Sequence, residues 1–316
     1  MKILANDGIS EKGISLLEKN GFQVLTTTVA QEQLGNFINQ NDVSGLLVRS
    51  ATKVNKQLID ACPGLKLIGR GGVGMDNIDV QYAKKKGIHV INTPAASSLS
   101  VAELVFAHLY GGVRFLYDAN RNMPLEGDSR FKQLKKSYGK GKELAGKTLG
   151  IIGFGRIGQA TAKLALGAGM KVLFFDPLLE EVSLTLSFFD GQSVTFNLTK
   201  TDKDILLKES DFITVHVPAQ KNYIIGKKEF EMMKNGVGII NAARGGVIDE
   251  VALVEALEND KVSFAGMDVY ESEPNPEIRI LMHPKISLTP HIGGATNEAQ
   301  DRIGVELAEQ IISHLK

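Results

Sequence analysis

The stretch Thr148–Asp176 constrains this chain more than any other. It reads T-L-G-I-I-G-F-G-R-I-G-Q-A-T-A-K-L-A-L-G-A-G-M-K-V-L-F-F-D. An apolar run with Leu149, Ile151 and Ile152 stops at Gly153, and Gly155 and Gly158 complete G-x-G-x-x-G. A helix-compatible segment follows, then a second apolar run, Val172–Phe175, that ends on Asp176. Gly153 permits a tight turn, Gly155 lets backbone N–H groups approach a pyrophosphate, and Gly158 lets helix and strand pack closely. The helix N-terminus adds unpaired donors and a partial positive charge. Asp176, eighteen residues past Gly158, stands where a carboxylate accepts both ribose hydroxyls and repels a 2′-phosphate, so NAD is expected over NADP. A glycine-rich turn in some other βαβ unit is the competing reading; the bracketing strands and the spacing of the acid favour the dinucleotide.

A length of 316 residues predicts two domains, each able to bury a core. The 36 basic and 36 acidic residues balance, so no net field draws the chain to nucleic acid or a membrane. Lys84-Lys85-Lys86 reads as the solvated end of a helix. The single cysteine, Cys62, excludes an internal disulfide and fits a reducing compartment. M-K-I-L-A-N-D-G reads as a strand and turn and not as a signal peptide, and no apolar stretch reaches spanning length. A soluble, cytoplasmic protein is therefore expected, with no metal called for.

Before the glycine motif, Ile3–Ala5, Phe22–Leu25, Leu46–Val48, Leu67–Ile68 and Ile88–Ile91 read as strands. Glu11–Lys19, Gln31–Gln40, Asn55–Ala61 and Val80–Lys86 carry helical spacing between them. That alternation predicts an α/β domain with a parallel sheet, whose ligands bind at strand C-terminal ends. Two loops fall there, Arg49–Lys53 and Gly69–Gly74, which includes Arg70. Ordinary turns beside surface arginines fit these two loops equally well. Asn92-Thr93-Pro94 closes this part, Ser97–Met123 reads as one mostly apolar helix interrupted at Gly111-Gly112, and residues 124–147 read as a polar loop.

After Asp176, two alternating runs flank Asp190-Gly191, a strong hairpin signal. Phe212–Val217, Gly238–Asn241 and Ser263–Val269 read as strands, the last of them closing the sheet; Glu250–Asn259 and Thr296–Leu315 read as helices. Arg244, Glu273 and His291 stand at strand ends or in the loops beyond, 29 and 18 residues apart. Singly, each also reads as a surface arginine, a loop acid or a turn cap. Their shared half of the chain, the half that holds the glycine motif, suggests one site.

The motifs G-F-G-R-I-G, D-F-I-T-V-H-V-P, N-A-A-R-G-G-V-I-D, M-D-V-Y-E-S-E-P and T-P-H-I-G-G-A-T-N-E-A-Q occur in this order. With L-V-R-S-A-T-K-V, G-R-G-G-V-G-M-D-N-I-D and N-T-P-A-A-S-S-L-S-V-A-E-L in the front half, the chain resembles the D-isomer-specific 2-hydroxyacid dehydrogenases over nearly its whole length. It looks most like the branch that oxidises D-3-phosphoglycerate. The resemblance implies two doubly wound, Rossmann-like and flavodoxin-like α/β domains with parallel sheets. Residues 1–97 plus 291–316 would bind substrate, and residues 98–290 would be an inserted NAD domain.

The resemblance further makes Arg244 the clamp for the substrate carboxylate and C2 oxygen, His291 the acid/base and Glu273 its orienter. It assigns cofactor contacts to Gly153, Gly155, Arg156, Ile157, Gly158, Asp176, His216, Val217, Pro218, Ala242, Ala243, Asp268, Gly293 and Gly294. Asp268 would accept from the nicotinamide amide. Backbone donors of Gly72 and Val73 would hold the carboxylate. Arg49 leads the candidates for a substrate phosphate, with Ser50 beside it, then Arg70, Lys53 and the Arg130–Lys135 stretch. The chain departs from the family pattern at Gly127-Asp128-Ser129, where Gly-x-Trp is usual, and the hairpin is longer than usual. A homodimer through the Ser97–Met123 helix is implied. C-terminal regulatory domains, and serine feedback through them, are not expected. Reduction of hydroxypyruvate, glyoxylate or another 2-oxo acid is the alternative activity. A dinucleotide-sensing, corepressor-like binding protein is the non-enzymatic one.

Overall fold

A strand covered on both faces must be apolar throughout, and the short apolar runs of this chain meet that condition in two separate parallel sheets. The computed structural model describes residues 1–315. Its elements run β1 (Lys2–Ala5), α1 (Glu11–Lys19), β2 (Gln23–Leu25), α2 (Gln31–Gln40), β3 (Val43–Val48), α3 (Lys56–Ala61), β4 (Leu67–Arg70), α4 (Val80–Lys85), β5 (His89–Asn92) and α5 (Ser98–Val113). They continue with α6 (Leu116–Glu126), α7 (Phe131–Tyr138), β6 (Thr148–Ile152), α8 (Arg156–Gly167), β7 (Lys171–Phe175), β8 (Glu181–Ser187), β9 (Ser193–Thr199), α9 (Lys203–Glu209) and β10 (Phe212–Val215). The last are α10 (Lys227–Met232), β11 (Val237–Asn241), α11 (Glu250–Glu258), β12 (Val262–Met267), α12 (Ile278–Leu281), β13 (Ile286–Leu288) and α13 (Asn297–Leu315).

The chain divides into two compact units: Met1–Ser100 with the segment from Gly294 onward, and Val101–Gly293. Both junctions lie three residues beyond the 97/98 and 290/291 boundaries expected from sequence. At the first, Val101 and Val105 are already part of the second unit's core. At the second, the N–H groups of Ile292 and Gly293 donate to Asp268, both at 2.8 Å, and hold His291–Gly293 to the second unit.

The first unit is a five-stranded parallel sheet in the order β2-β1-β3-β4-β5. Leu4, Leu34, Ile38, Leu46 and Ile68 fill one face. Ile3, Leu47 and Leu67 fill the other, with Ile303, Leu307 and Ile311 of α13; the four-residue spacing on α13 is the stripe that makes this packing possible. Strand order reverses between β1 and β3, which opens a crevice beyond their C-terminal ends.

The second unit is a six-stranded parallel sheet in the order β13-β12-β11-β10-β6-β7, with its reversal between β6 and β10. Phe154 and Phe174 stack in its core, ring centroids 4.0 Å apart. The expected hairpin is present as the antiparallel pair β8–β9, turning at Asp190-Gly191 with Gly191 at φ +86°. The two doubly wound α/β sheets expected from sequence are therefore borne out.

Three local expectations are corrected. Ser97–Met123 is not one helix broken at glycines. Gly111 and Gly112 lie inside α5, where the bare Gly112 backbone rests on the Phe264 ring, and the break comes at Phe115, left-handed at φ +55°. There α5 and α6 bend by 55°. Residues 124–147 are not all loop. α7 forms on good helix formers with only Leu134 buried, and Tyr138 ties it to α6 through Asp118 (2.7 Å). Finally, the sheet does not close on Ser263–Val269: β13, three residues long, follows. Among the described residues no single helix is long and apolar enough to cross a membrane.

Candidate active site

β6 ends at Ile152 and α8 begins at Arg156, so Gly153–Gly155 form the turn beside the strand reversal. Gly153 sits at φ +89°, and a Cβ there would stand 2.5 Å from the His216 carbonyl. Gly158 presses against the Gly153 carbonyl with no room for a methyl group. Over Gly155, by contrast, a Cβ would meet nothing within 4 Å. The motif is thus closed where helix meets strand and open where a phosphate would approach, and Arg156 and Ile157 follow in the first turn of α8. Asp176, beyond β7, accepts from the N–H of Phe154 (2.7 Å) and of Leu178 (2.9 Å). Those bonds pin the carboxylate to the glycine turn and leave each oxygen a further acceptor position for a ribose hydroxyl.

His216, Val217 and Pro218 follow β10, across the reversal. The His216 ring lies within reach of the Thr161 (3.3 Å) and Thr214 (3.1 Å) hydroxyls through Nε2, while its buried Nδ1 has no partner. Burial pushes its pKa down to about 3. An unfolded histidine takes up its proton near pH 6.5 and this one refuses it, so its contribution is complete above about pH 6.5 and lost as pH falls toward 3. Urea unfolding across that window is expected to show stability falling by up to ~1.4 kcal/mol per pH unit on this account. His216→Gln, which cannot titrate, flattens that limb; an unchanged limb assigns the loss elsewhere.

The loops after β11, β12 and β13 are laced together. Asn241 accepts from the Ala243 N–H (3.1 Å) and donates to the Arg244 carbonyl (3.0 Å), so one buried side chain shapes the Ala242–Arg244 turn. Arg244 is half-buried, and its Nη1 donates to the Ala243 carbonyl at 2.6 Å. Gly245 lies so close to the Tyr270 carbonyl that no side chain fits, which presses the Arg244 turn onto the segment carrying Glu273. The Asp268 N–H donates to the Asn241 carbonyl (2.9 Å), and that of Thr289 to the Met267 carbonyl (3.0 Å).

Glu273 accepts the Tyr270 N–H through Oε1 (3.0 Å), which turns Oε2 toward His291 Nδ1 at 2.9 Å. A carboxylate only accepts, so Nδ1 carries the proton and Nε2 is left with a lone pair for a proton-bearing ligand. Side-chain exposures of 39% for His291 and 36% for Glu273 leave the pair open to such a ligand.

Two further residues with expected roles are bonded within their own loops. Asp268 is 1% exposed and accepts from Thr289 Oγ1 (2.7 Å), Ile292 N–H and Gly293 N–H (both 2.8 Å). Its carboxylate holds the His291 arm, with two bonds on Oδ1 and one on Oδ2, so Oδ2 keeps a further acceptor position. In the first unit, the Gly72 N–H donates to the Arg70 carbonyl at 2.9 Å within its own turn; Val73, next to it, is exposed.

The remaining candidates of the first unit gather at its own strand reversal. Asp7, just beyond β1, accepts from the N–H of Arg49 (2.6 Å) and Thr52 (3.1 Å) and from the Thr52 hydroxyl (2.6 Å). Asn77 donates to the carbonyls of Arg49 and Thr52. The Arg49–Ser50 turn is thereby fixed, and the Arg49 stem lies against Gly71 while the Arg70 guanidinium packs on Gly72. Gly294 belongs to this unit, its Cα facing Ser97. Asp7, Asn77, Tyr270 and Thr289 escaped the sequence reading. Asn77, Tyr270 and Thr289 lie inside motifs quoted above, and Asp7 two residues past β1, but no sequence signal assigned any of them a role.

Residues 106–293 match the family described as D-isomer specific 2-hydroxyacid dehydrogenase, NAD binding domain. Over 320 residues the chain is 44% identical to the hydroxypyruvate reductase of Thermotoga maritima, covering 99% of this chain and 98% of that one. It is 40% identical to the D-3-phosphoglycerate dehydrogenase of Archaeoglobus fulgidus over 320 residues, covering 100% of this chain but spanning 58% of that enzyme's length. The crystal structure of D-lactate dehydrogenase from Aquifex aeolicus, complexed with NAD and lactic acid, superposes with a TM-score of 0.74 at 30% identity, covering 100% of this chain and 95% of that one. NAD is the cofactor that the open glycine turn and the pinned Asp176 fit. By motif, fold and match alike, the chain belongs to the D-isomer-specific 2-hydroxyacid dehydrogenases and is an NAD-dependent oxidoreductase.

Proposed function

We propose that this dehydrogenase interconverts D-3-phosphoglycerate and 3-phosphohydroxypyruvate, the oxidation that opens serine biosynthesis. The observation that carries the reading is the Arg49 turn, braced by Asp7 and Asn77 at the strand reversal of the first unit, with Arg70 beside it. Two guanidinium groups suit a substrate with a phosphate as well as a carboxylate, because each can bind oxyanions bidentately. In this reading His291 removes the C2 hydroxyl proton through Nε2, Glu273 keeps its ring aligned, and Arg244 holds the carboxylate and polarises the C2 oxygen. Bound NAD⁺ supplies the hydride acceptor for the C2 hydrogen. The same residues acting in reverse protonate the oxygen of a 2-oxo acid.

Hydroxypyruvate reduction is the second reading, favoured by the near full-length likeness to the Thermotoga maritima reductase. The two substrates differ by one phosphate, so the test is direct. NADH consumption with 3-phosphohydroxypyruvate is expected to exceed that with hydroxypyruvate in kcat/KM. Arg49→Ala is expected to cut the first by ~10–100-fold, the worth of a lost charge-assisted contact, and to spare the second. Equal losses on both would remove Arg49 from the phosphate, and a preference for hydroxypyruvate would select the second reading. A cytoplasmic homodimer is part of the same proposal: α6 leaves Leu116, Met123 and Leu125 exposed, an apolar surface that a second copy would cover.

A further inference from the structure

His108, on α5, is a buried histidine that the reaction does not use. It is 3% exposed, with Nδ1 2.9 Å from the Ser287 hydroxyl and Nε2 3.1 Å from the Thr289 hydroxyl. The directions of these bonds follow from the chemistry of their ends. Asp268 can only accept, and the Thr289 hydroxyl donates to it at 2.7 Å, which uses the one proton Thr289 has. Thr289 must then accept from His108, so Nε2 carries the ring proton. Burial lowers the His108 pKa, against the opposing pull of Asp268, and keeps the ring neutral. Nδ1 is therefore an acceptor and takes the Ser287 hydroxyl proton. The result is a one-way chain, Ser287 to His108 to Thr289 to Asp268, in which every proton has an acceptor.

The chain ends on the groups that shape the His291 arm. Asp268 holds the N–H groups of Ile292 and Gly293, and Tyr270 donates to the Thr289 carbonyl at 2.8 Å. Between these anchors His291 adopts φ +55°, a left-handed conformation that is unfavourable for a non-glycine residue and persists only where its surroundings impose it. His108 reaches the chain from below: the Gly266 backbone lies against its Cβ, where any side chain at 266 would displace it. We infer that His108 is a positioning residue for the His291 arm, acting through the Thr289 hydroxyl and the Asp268 carboxylate. It sets which way the Thr289 hydroxyl points, and so keeps Asp268 aimed at the two N–H groups that hold His291 in its strained backbone. This inference rests on His291 being the acid/base of the reaction.

The test compares kcat, KM and NADH affinity, using whichever of the two 2-oxo acids is turned over better, across five variants and wild type. His108→Leu removes the donor at similar bulk and is expected to lower kcat about tenfold, the effect of a catalytic group displaced by a fraction of an ångström, with KM and NADH affinity within twofold. His108→Gln can present an amide N–H where Nε2 stands and is expected to recover most of that loss. Thr289→Val cuts the chain one step later, and the double variant His108→Leu/Thr289→Val is expected to be no slower than Thr289→Val alone, because both changes break one path. Leu and Gln variants equally slow, or losses that multiply in the double variant, would reduce His108 to a packing residue. If His108→Leu does not fold, Gln and Thr289→Val still decide: Gln must stay within threefold of wild type while Thr289→Val falls tenfold. His291→Asn separates the two levels. Retained turnover there overturns the acid/base reading itself, whereas an inactive His291→Asn beside an unimpaired His108→Leu overturns the positioning role alone.

Discussion

Asparagine in place of His291 is expected to lower kcat by roughly 10²–10⁴-fold, the usual worth of a general acid–base group, while NADH binds as in wild type. The expectation comes from how the ring is held. Glu273 fixes Nδ1 as the donor at 2.9 Å, so Nε2 alone faces outward with a lone pair. An asparagine amide can keep the contact to Glu273 but has no second nitrogen to take a proton. It also tolerates left-handed backbone better than most residues, so the arm at φ +55° is not released by the change. Binding and chemistry therefore separate. A fluorescence titration with NADH should be unaltered, while single-turnover reduction of the 2-oxo acid nearly vanishes. Turnover within tenfold of wild type would show that another group, or water, moves the proton.

The contrast between what the sequence disclosed and what it concealed has a physical origin. Strands β1, β3, β4, β6 and β11 were legible because parallel strands buried on both faces leave uninterrupted apolar runs, and helices α1 and α2 because one apolar stripe must recur near every fourth residue. The glycine motif was legible because its shape requirements admit almost no substitute: Gly153 and Gly158 are each shut against neighbouring backbone. β13 left no trace, being three residues of which one is fully buried. α7 buries a single leucine and presents lysines elsewhere, so its periodicity was too faint to separate from a polar loop. The break at Phe115 was attributed to the wrong residues because Gly111-Gly112 looked like punctuation; tertiary packing on Phe264 requires the bare backbone of Gly112 inside the helix. At the site, the reactive trio Arg244, Glu273 and His291 was named from motifs. The supporting bonds were not, since Asp268 to Thr289 or Asp7 to Thr52 are long-range pairings that only the closed fold creates.

Replacing Arg244 with glutamine is expected to reduce kcat/KM for the 2-oxo acid by about 10²–10³-fold, because a charged partner is removed from a carboxylate in a partly desolvated site, a loss of about 3–4 kcal/mol. The turn that carries Arg244 receives a bond from its Nη1 at the Ala243 carbonyl but is also shaped by other residues. Asn241 shapes the turn from within and Gly245 seats it on the Tyr270 carbonyl, so the variant should fold and bind NADH normally. Lysine at 244 is the sharper probe. It restores the charge but not the planar fork that can hold a carboxylate and lean on the C2 oxygen together, and it should recover less than a tenth of the lost activity. Recovery close to wild type with lysine would mean that a point charge suffices and that C2 polarisation comes from elsewhere. Glutamine without effect would take Arg244 out of the site, and with it the reason for a backbone contact at Gly245 that excludes every side chain.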